Sequence, residues 1–214
     1  MLRPLVALLL LLAAAGAPAL EAQPRPMRVE VELAPQPTRE GPRVRAVGVL
    51  NDARLRDLLR NGFPTRLHFR TELWSTGGLV NDLEGAAEWD VVVRHDPLDG
   101  SYQVARVVGD RVTLLGRYAD LAGAQGAAER PYVPAMRTPR RGRRHYYAAR
   151  VQVEAISVND LDEVERWLRG ELRPAVRGER NPGTALGRGL GQLLVRIVGG
   201  EQRELTGRSG TFVP

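Results

Sequence analysis

The chain of 214 residues contains no cysteine. That absence excludes disulfides, thiol nucleophiles, thiolate metal sites and a lipid attached to a cysteine after processing. There is no lysine either, because all 31 basic residues are arginine. A Schiff-base lysine and the lysine of a phosphate-binding P-loop are therefore also excluded. Aromatic residues make up only 5% of the chain, and there are three histidines, His68, His95 and His145. Beyond the N-terminus no apolar run is long enough to cross a bilayer. What the chain does have in quantity is arginine, glycine and short alternating apolar stretches.

The N-terminus has the order of a secretory signal peptide. Arg3 supplies a positive start, Leu5 to Ala15 form a short apolar run, and Ala17-Pro18-Ala19 offers a small-residue cleavage site. The expectation is cleavage after Ala19 or Ala22, so that residues 1–22 are lost and the mature chain is periplasmic or extracellular without a transmembrane span. About 190 residues then remain, enough for one domain with a sizeable core.

The net charge of +6 results from 31 arginines against 25 acids. Replacement of every lysine by arginine has the character of genomic base composition, so arginine density alone is a weak sign of nucleic acid. The acids are interspersed with the arginines, which describes a solvated surface carrying many weak ion pairs.

Along the chain, "MRVEVEL" (27–33) alternates strictly and predicts a strand, as does "RVRAVGVL" (43–50). "NDARLRDLLRNG" predicts a helix capped by Asn51 or Asp52, with Leu55, Leu58 and Leu59 on one face and Gly62 as its stop. "PTRLHFRTELW" is the clearest strand: Leu67, Phe69, Thr71 and Leu73 alternate with Arg66, His68, Arg70 and Glu72. "STGGLVNDLEG" predicts a loop. Residues 88–118 form a meander of three strands turning at Asp96–Gly100 and at Gly109-Asp110. Alanine-rich 119–130 predicts a helix, "PYVPAM" an extended edge, and "HYYAARVQVEAISV" the last long strand.

Further on, "NDLDEVERWLRGEL" predicts a capped helix. After the breaker-rich "RPAVRGERNPG", Leu186, Leu190, Leu193, Leu194 and Ile197 line one side of an amphipathic helix. The predicted fold is mainly β (β-rich α+β), an antiparallel β-sandwich of about seven to eight strands with short connecting helices and a helical C-terminal tail. The predicted divisions are a signal peptide at 1–22, a β-rich domain at 23–172, and a linker with its helical tail at 173–214. The predicted shared core is Leu67, Phe69, Leu73, Val91, Val93, Val104 and Val153.

The order of these elements carries a resemblance. A leucine-rich helix ends in "NGFP", a long strand reads "LHFRTELW", and "RHDPLDGSYQV" turns into its partner before an alanine-rich helix and the "YYAARVQVE" strand. This set resembles a bacterial family of exported proteins known only as a domain of unknown function. The matching positions are Gly62, Pro64, Glu72, Leu73, Arg94, Leu98 and Tyr102, and the resemblance spans Val44 to Leu172. It implies an envelope protein with a β-rich domain and brings no activity, cofactor or catalytic residue with it. The extension after Leu172 departs from the family's pattern.

Candidate chemistry is sparse. His68 and His95, with Asp96 or Glu72, would form a metal site only if their strands were neighbours, and their spacing does not require it. The competing reading leaves the histidines partly exposed on a sheet. Asp96, Asp99 and Asp110 suit turns better than calcium. No G-x-S-x-G elbow is present. No catalytic residue, cofactor or metal is therefore assigned.

Two segments remain. "RTPRRGRRHYYAAR" gathers Arg137, Arg140, Arg141, Arg143 and Arg144, a candidate anion-binding loop, against the plainer reading of a loop entering a strand. The leucine stripe, beside Gly183, Gly187 and Gly191, is a candidate association helix, for self-association or a membrane surface, against the plainer reading that it docks on the protein's own sheet. Export weighs against nucleic acid. The functional expectation is a non-enzymatic binding or scaffolding module of the cell envelope, with an envelope protein or an anionic membrane surface as partner. The alternative is a hydrolase acting on an envelope polymer.

Overall fold

The computed structural model describes residues 26–37, 39–77, 80–136, 139–156 and 203–214. Among the described residues there are eight strands: β1 (Arg28–Glu32), β2 (Arg43–Val47), β3 (Thr65–Thr76), β4 (Asp82–His95), β5 (Tyr102–Val108), β6 (Arg111–Tyr118), β7 (Arg144–Ala155) and β8 (Arg203–Arg208). Helix α1 spans Ala53–Arg60 and α2 spans Leu121–Ala128. All pairings are antiparallel. β1 and β2 form one small sheet, and the other six strands form a second in the order β6-β5-β4-β3-β7-β8. The β-rich, sandwich-like α+β architecture expected from the alternation is the one observed.

Each element follows from its residues. The Asp52 side chain accepts a hydrogen bond from the Leu55 amide at 2.9 Å and starts α1. Gly62, at φ 88°, turns the chain out of the helix toward β3. In β3 the odd-numbered residues from Thr65 to Ser75 are all buried, whereas the even-numbered ones face outward. β3 is central, with Phe69 opposite Trp89 of β4 and Val151 of β7.

The core lies between the inner face of the six-stranded sheet and a second layer. In that layer β1 packs on β7 and β8, α1 on β4 and β7, and α2 on β4, β5 and β6. Val44, Leu59, Ala124 and Tyr132 meet Phe69, Val91, Val104 and Val153 in one cluster. Leu67, Phe69, Leu73, Val91, Val93, Val104 and Val153 are each no more than 1% exposed, as their alternation predicts. At roughly 1.5–3 kcal/mol per large apolar side chain, this cluster is the main source of stability in a fold without cross-links. Among the described residues no helix is long and apolar enough to cross a membrane.

Two expectations need correction. The segment "STGGLVNDLEG" is mostly strand, because β3 runs to Thr76 and β4 begins at Asp82. A bulge pairs Leu73 with Gly85 but Trp74 with Leu83, leaving Glu84 as the extra residue. The sequence reading also placed no strand after residue 172. β8 nevertheless adds to β7, and Leu205 packs against the core. The apolar N-terminus, the helix expected from 159 and the leucine stripe of 186–197 lie outside the described residues.

Gly207 of β8 is what brings the two layers together there. A β-carbon at this position would sit 2.7 Å from the Val29 carbonyl oxygen and 3.0 Å from Val29 Cγ1. Gly207→Ala should therefore force β1 and β8 apart and cost about 1–3 kcal/mol. A urea titration checks it, and an unchanged midpoint would show that the contact yields freely.

Candidate functional site

One end of the large sheet collects the turn between β3 and β4, the loop entering β7 and the C-terminal residues. Thr76, Gly77, Gly142, Arg143, Arg144 and Val213 line a cleft of about 660 Å³ there. Arg140, Arg141, Arg143 and Arg144 are all exposed. Arg143 pairs with Asp82 at 2.9 Å, and the Arg140 amide donates to Glu84 Oε2 at 3.5 Å. Among the described residues, no carboxylate lies within ion-pair reach of the Arg141 or Arg144 guanidinium. Of the five arginines singled out in the sequence, Arg143 and Arg144 line the cleft, and Arg140 and Arg141 precede them in the same exposed loop. Arg137 lies outside the described residues, as do Leu186, Leu190, Leu193, Leu194 and Ile197.

Behind this cleft sits His145, wholly buried rather than partly exposed as expected. The β4 bulge turns Glu84 toward it. His145 Nε2 lies 3.2 Å from Glu84 Oε2, Nδ1 lies 2.9 Å from the Arg143 carbonyl, and the ring packs against Phe212 at 5.8 Å. Both ring nitrogens face oxygen atoms of the protein, which fixes the plane of the ring. Burial pushes the Glu84 carboxyl up, but the Ser75 hydroxyl, the Arg140 amide and His145 together hold it below the ordinary carboxylate range. A backbone bridge between His145 and Phe212 then fixes the C-terminus against the loop.

The outer face of the sheet carries a second constellation across three strands. Arg66 is buried and bidentate to Asp90, with Nε and Nη2 each 3.0 Å from a carboxylate oxygen, and its Nη1 reaches Glu154 at 3.0 Å. His68 Nδ1 meets Asp90 Oδ1 at 2.8 Å. Burial alone would raise Asp90, yet the His68 hydrogen bond and Arg66 bring it below its usual value. Glu154 shifts the other way, because burial outweighs its single contact with Arg66. The two acids share one arginine, and the one with more partners keeps its charge more readily. Above this cluster, Arg70 joins Glu72 and Glu88, and Trp74 Nε1 donates to Glu72 at 3.0 Å.

The expected meeting of His68 and His95 does not occur. β3 and β4 are neighbours, but the register sets His68 opposite Asp90, whereas His95 packs on the Tyr102 ring at 4.6 Å and meets the Arg60 carbonyl at 3.1 Å. No cluster of metal-ligating side chains exists among the described residues. Asp96 and Asp99 act as turn residues, accepting from the Leu98 and Ser101 amides at 3.1 and 2.8 Å. Tyr146 and Tyr147 face opposite sides as strand alternation requires. Tyr147 stacks on Phe212 on the inner side, and Tyr146 lies under the Arg208 guanidinium at 3.6 Å.

Sequence reasoning missed the cluster of Arg66, Asp90 and Glu154. A polar residue at the start of a strand carries no signal of burial, and the three positions meet only through pairing register. The Arg106 guanidinium was also missed. It lies over the Trp89 and Tyr132 rings at 5.7 and 5.4 Å, and burial lowers its pKa. No family model, no curated protein and no solved structure matches this chain.

Proposed function

We propose that the protein is a non-enzymatic binding module of the bacterial cell envelope that holds anionic groups in the arginine-lined cleft. The carrying observation is that Arg143 and Arg144 line the cleft while Arg144 and the neighbouring Arg141 have no carboxylate partner among the described residues. Guanidinium groups without a protein counter-ion offer charge-assisted, bidentate hydrogen bonds to phosphate, sulfate or carboxylate. The signal-like N-terminus and the resemblance to exported bacterial proteins support the envelope location.

Titration with inorganic polyphosphate tests this reading. The chain should bind it in a salt-dependent manner, and Arg141→Ala and Arg144→Ala should each weaken binding about tenfold. Equal binding by the double variant would refute the site.

A second reading, a hydrolase of an envelope polymer, draws on the outer-face cluster. His68, Asp90 and Glu154 supply an oriented imidazole and a carboxyl whose pKa is raised, both usable for proton transfer. The same contacts also explain the cluster as a stitch across three strands, so the binding reading is preferred. Turnover of purified cell-wall material that disappears in Glu154→Gln would reverse that preference.

A further inference from the structure

We propose that the cleft end of the sheet is a docking tip for an anionic phospholipid bilayer, an inference that rests on the anion-binding reading above. Three exposed apolar side chains lie at this end: Val80, 76% exposed, in the turn between β3 and β4, Leu83, 47% exposed, at the start of β4, and Val213, 63% exposed, at the cleft wall. Their common location follows from pairing. Leu83 is opposite Trp74, Trp74 is opposite Tyr146, and the Asn81 side chain donates to the Tyr146 hydroxyl at 3.5 Å. Val80 and Leu83 therefore flank the start of β7, where the arginine loop enters. Val213 follows Phe212, which bridges to His145 in the same strand.

The balance of charge at this tip is positive. Arg140, Arg141, Arg143 and Arg144 stand against Asp82 and Glu84, and Glu84 is turned inward onto His145. The remaining positive charge is carried by exposed guanidinium groups beside exposed hydrocarbon. A soluble phosphate or a glycan polymer would use the arginines and leave Val80 and Leu83 in water. A bilayer uses both: headgroup phosphates take the guanidinium groups while the aliphatic side chains enter the acyl boundary. Leu98 offers a contrast. It is 96% exposed in the turn between β4 and β5, where the neighbouring Arg117 is already paired with Asp99.

The test is flotation of the full chain with vesicles of phosphatidylglycerol and phosphatidylcholine, compared with phosphatidylcholine alone. Neutral vesicles measure whatever the rest of the chain contributes. The anionic vesicles should bind more, and the difference should fade as salt shortens the Debye length from about 10 Å at 0.1 M. Each of Arg141→Ala and Arg144→Ala should weaken the anionic component about fivefold. The pair Val80→Asp and Leu83→Asp should weaken it at least about tenfold through loss of buried hydrocarbon. Leu98→Asp should leave it unchanged. All five side chains are solvent-exposed, so the variants should keep the parental circular dichroism and melting temperature.

Polyphosphate binding without any preference for anionic vesicles would overturn the bilayer proposal and leave the anion-binding reading standing. Vesicle binding that is indifferent to Val80→Asp and Leu83→Asp would overturn it too, because phosphate contact alone would then suffice. Failure to bind either probe would remove both readings.

Discussion

Arg66→Met should destabilise the protein by about 3–5 kcal/mol at pH 7, because it removes one partner from a buried ion network. Methionine fills similar space, so packing loss is small and the cost is electrostatic. Asp90 and Glu154, with side chains 17% and 16% exposed, would be left facing each other's side of β3 without their cation. The pH dependence identifies the cause. Asp90 has a depressed pKa in the folded protein, so its contribution is present above the unfolded value near pH 4 and is lost as pH falls through the folded one. Glu154, raised by burial, has the opposite sign: its proton uptake favours the fold at low pH, and that support fades as pH rises through its folded pKa. Without Arg66 both carboxyls move up, so the deficit of the variant should shrink as pH is lowered from 7 to 4. Adding Asp90→Asn and Glu154→Gln to Arg66→Met should recover much of the loss at pH 7, as expected when the penalty belongs to uncompensated charge. Urea midpoints at the two pH values measure all of this. A deficit independent of pH would mean that Arg66 acts through its hydrocarbon stem alone.

Such a network shows where reading a sequence stops. The period of two in β3 places Leu67, Phe69 and Leu73 inside, and it does the same for Val91 and Val153, because hydrophobic alternation is a local property of the chain. The capped helix at Asp52 and the three-stranded meander are equally local. β8 was not legible. "RELTGR" alternates weakly, has only Leu205 as a large apolar residue, and becomes a strand because the edge of β7 offers it a ladder. The bulge at Glu84 was hidden for the same reason, since an extra residue in one strand is defined only by its partner.

The candidate site was half legible. Arginine density marked the loop of 140–144, and the structure adds the cleft, Val213 and the exposed Val80 and Leu83 around it. What the sequence misassigned was His145. A histidine at the opening of a strand beside four arginines reads as a surface residue. Only the inward turn of Glu84 and the return of the chain at Phe212 supply the partners that let it be buried.

His145→Ala should therefore cost about 3–5 kcal/mol at pH 7 through a lost buried hydrogen-bond partner and a cavity, comparable to Arg66→Met and with a consequence nearer the cleft. The variant leaves the Glu84 carboxylate, whose side chain is 8% exposed, without the ring nitrogen that faces it and opens a void beside Phe212. Glu84 is held below the ordinary carboxylate range in the folded protein, so it supplies stability above pH 4 or so that is lost as pH falls through its folded pKa. Removing the ring takes away part of that support, and the deficit should again narrow in acid as the stranded carboxyl binds a proton. His145→Gln, whose amide can still donate to Glu84, should lose less. The effect should also be local. Phe212 is tied to residue 145 by two backbone hydrogen bonds of 2.7 and 2.9 Å and by its ring contact, and Val213 beyond it forms part of the cleft. Amide exchange of residues 209–214 should speed up in His145→Ala more than exchange in β3 or β4, and polyphosphate affinity should fall although no arginine has changed. Uniform loss of protection across the sheet would mean that His145 supports the core as a whole and does not specifically clamp the C-terminus against the arginine loop.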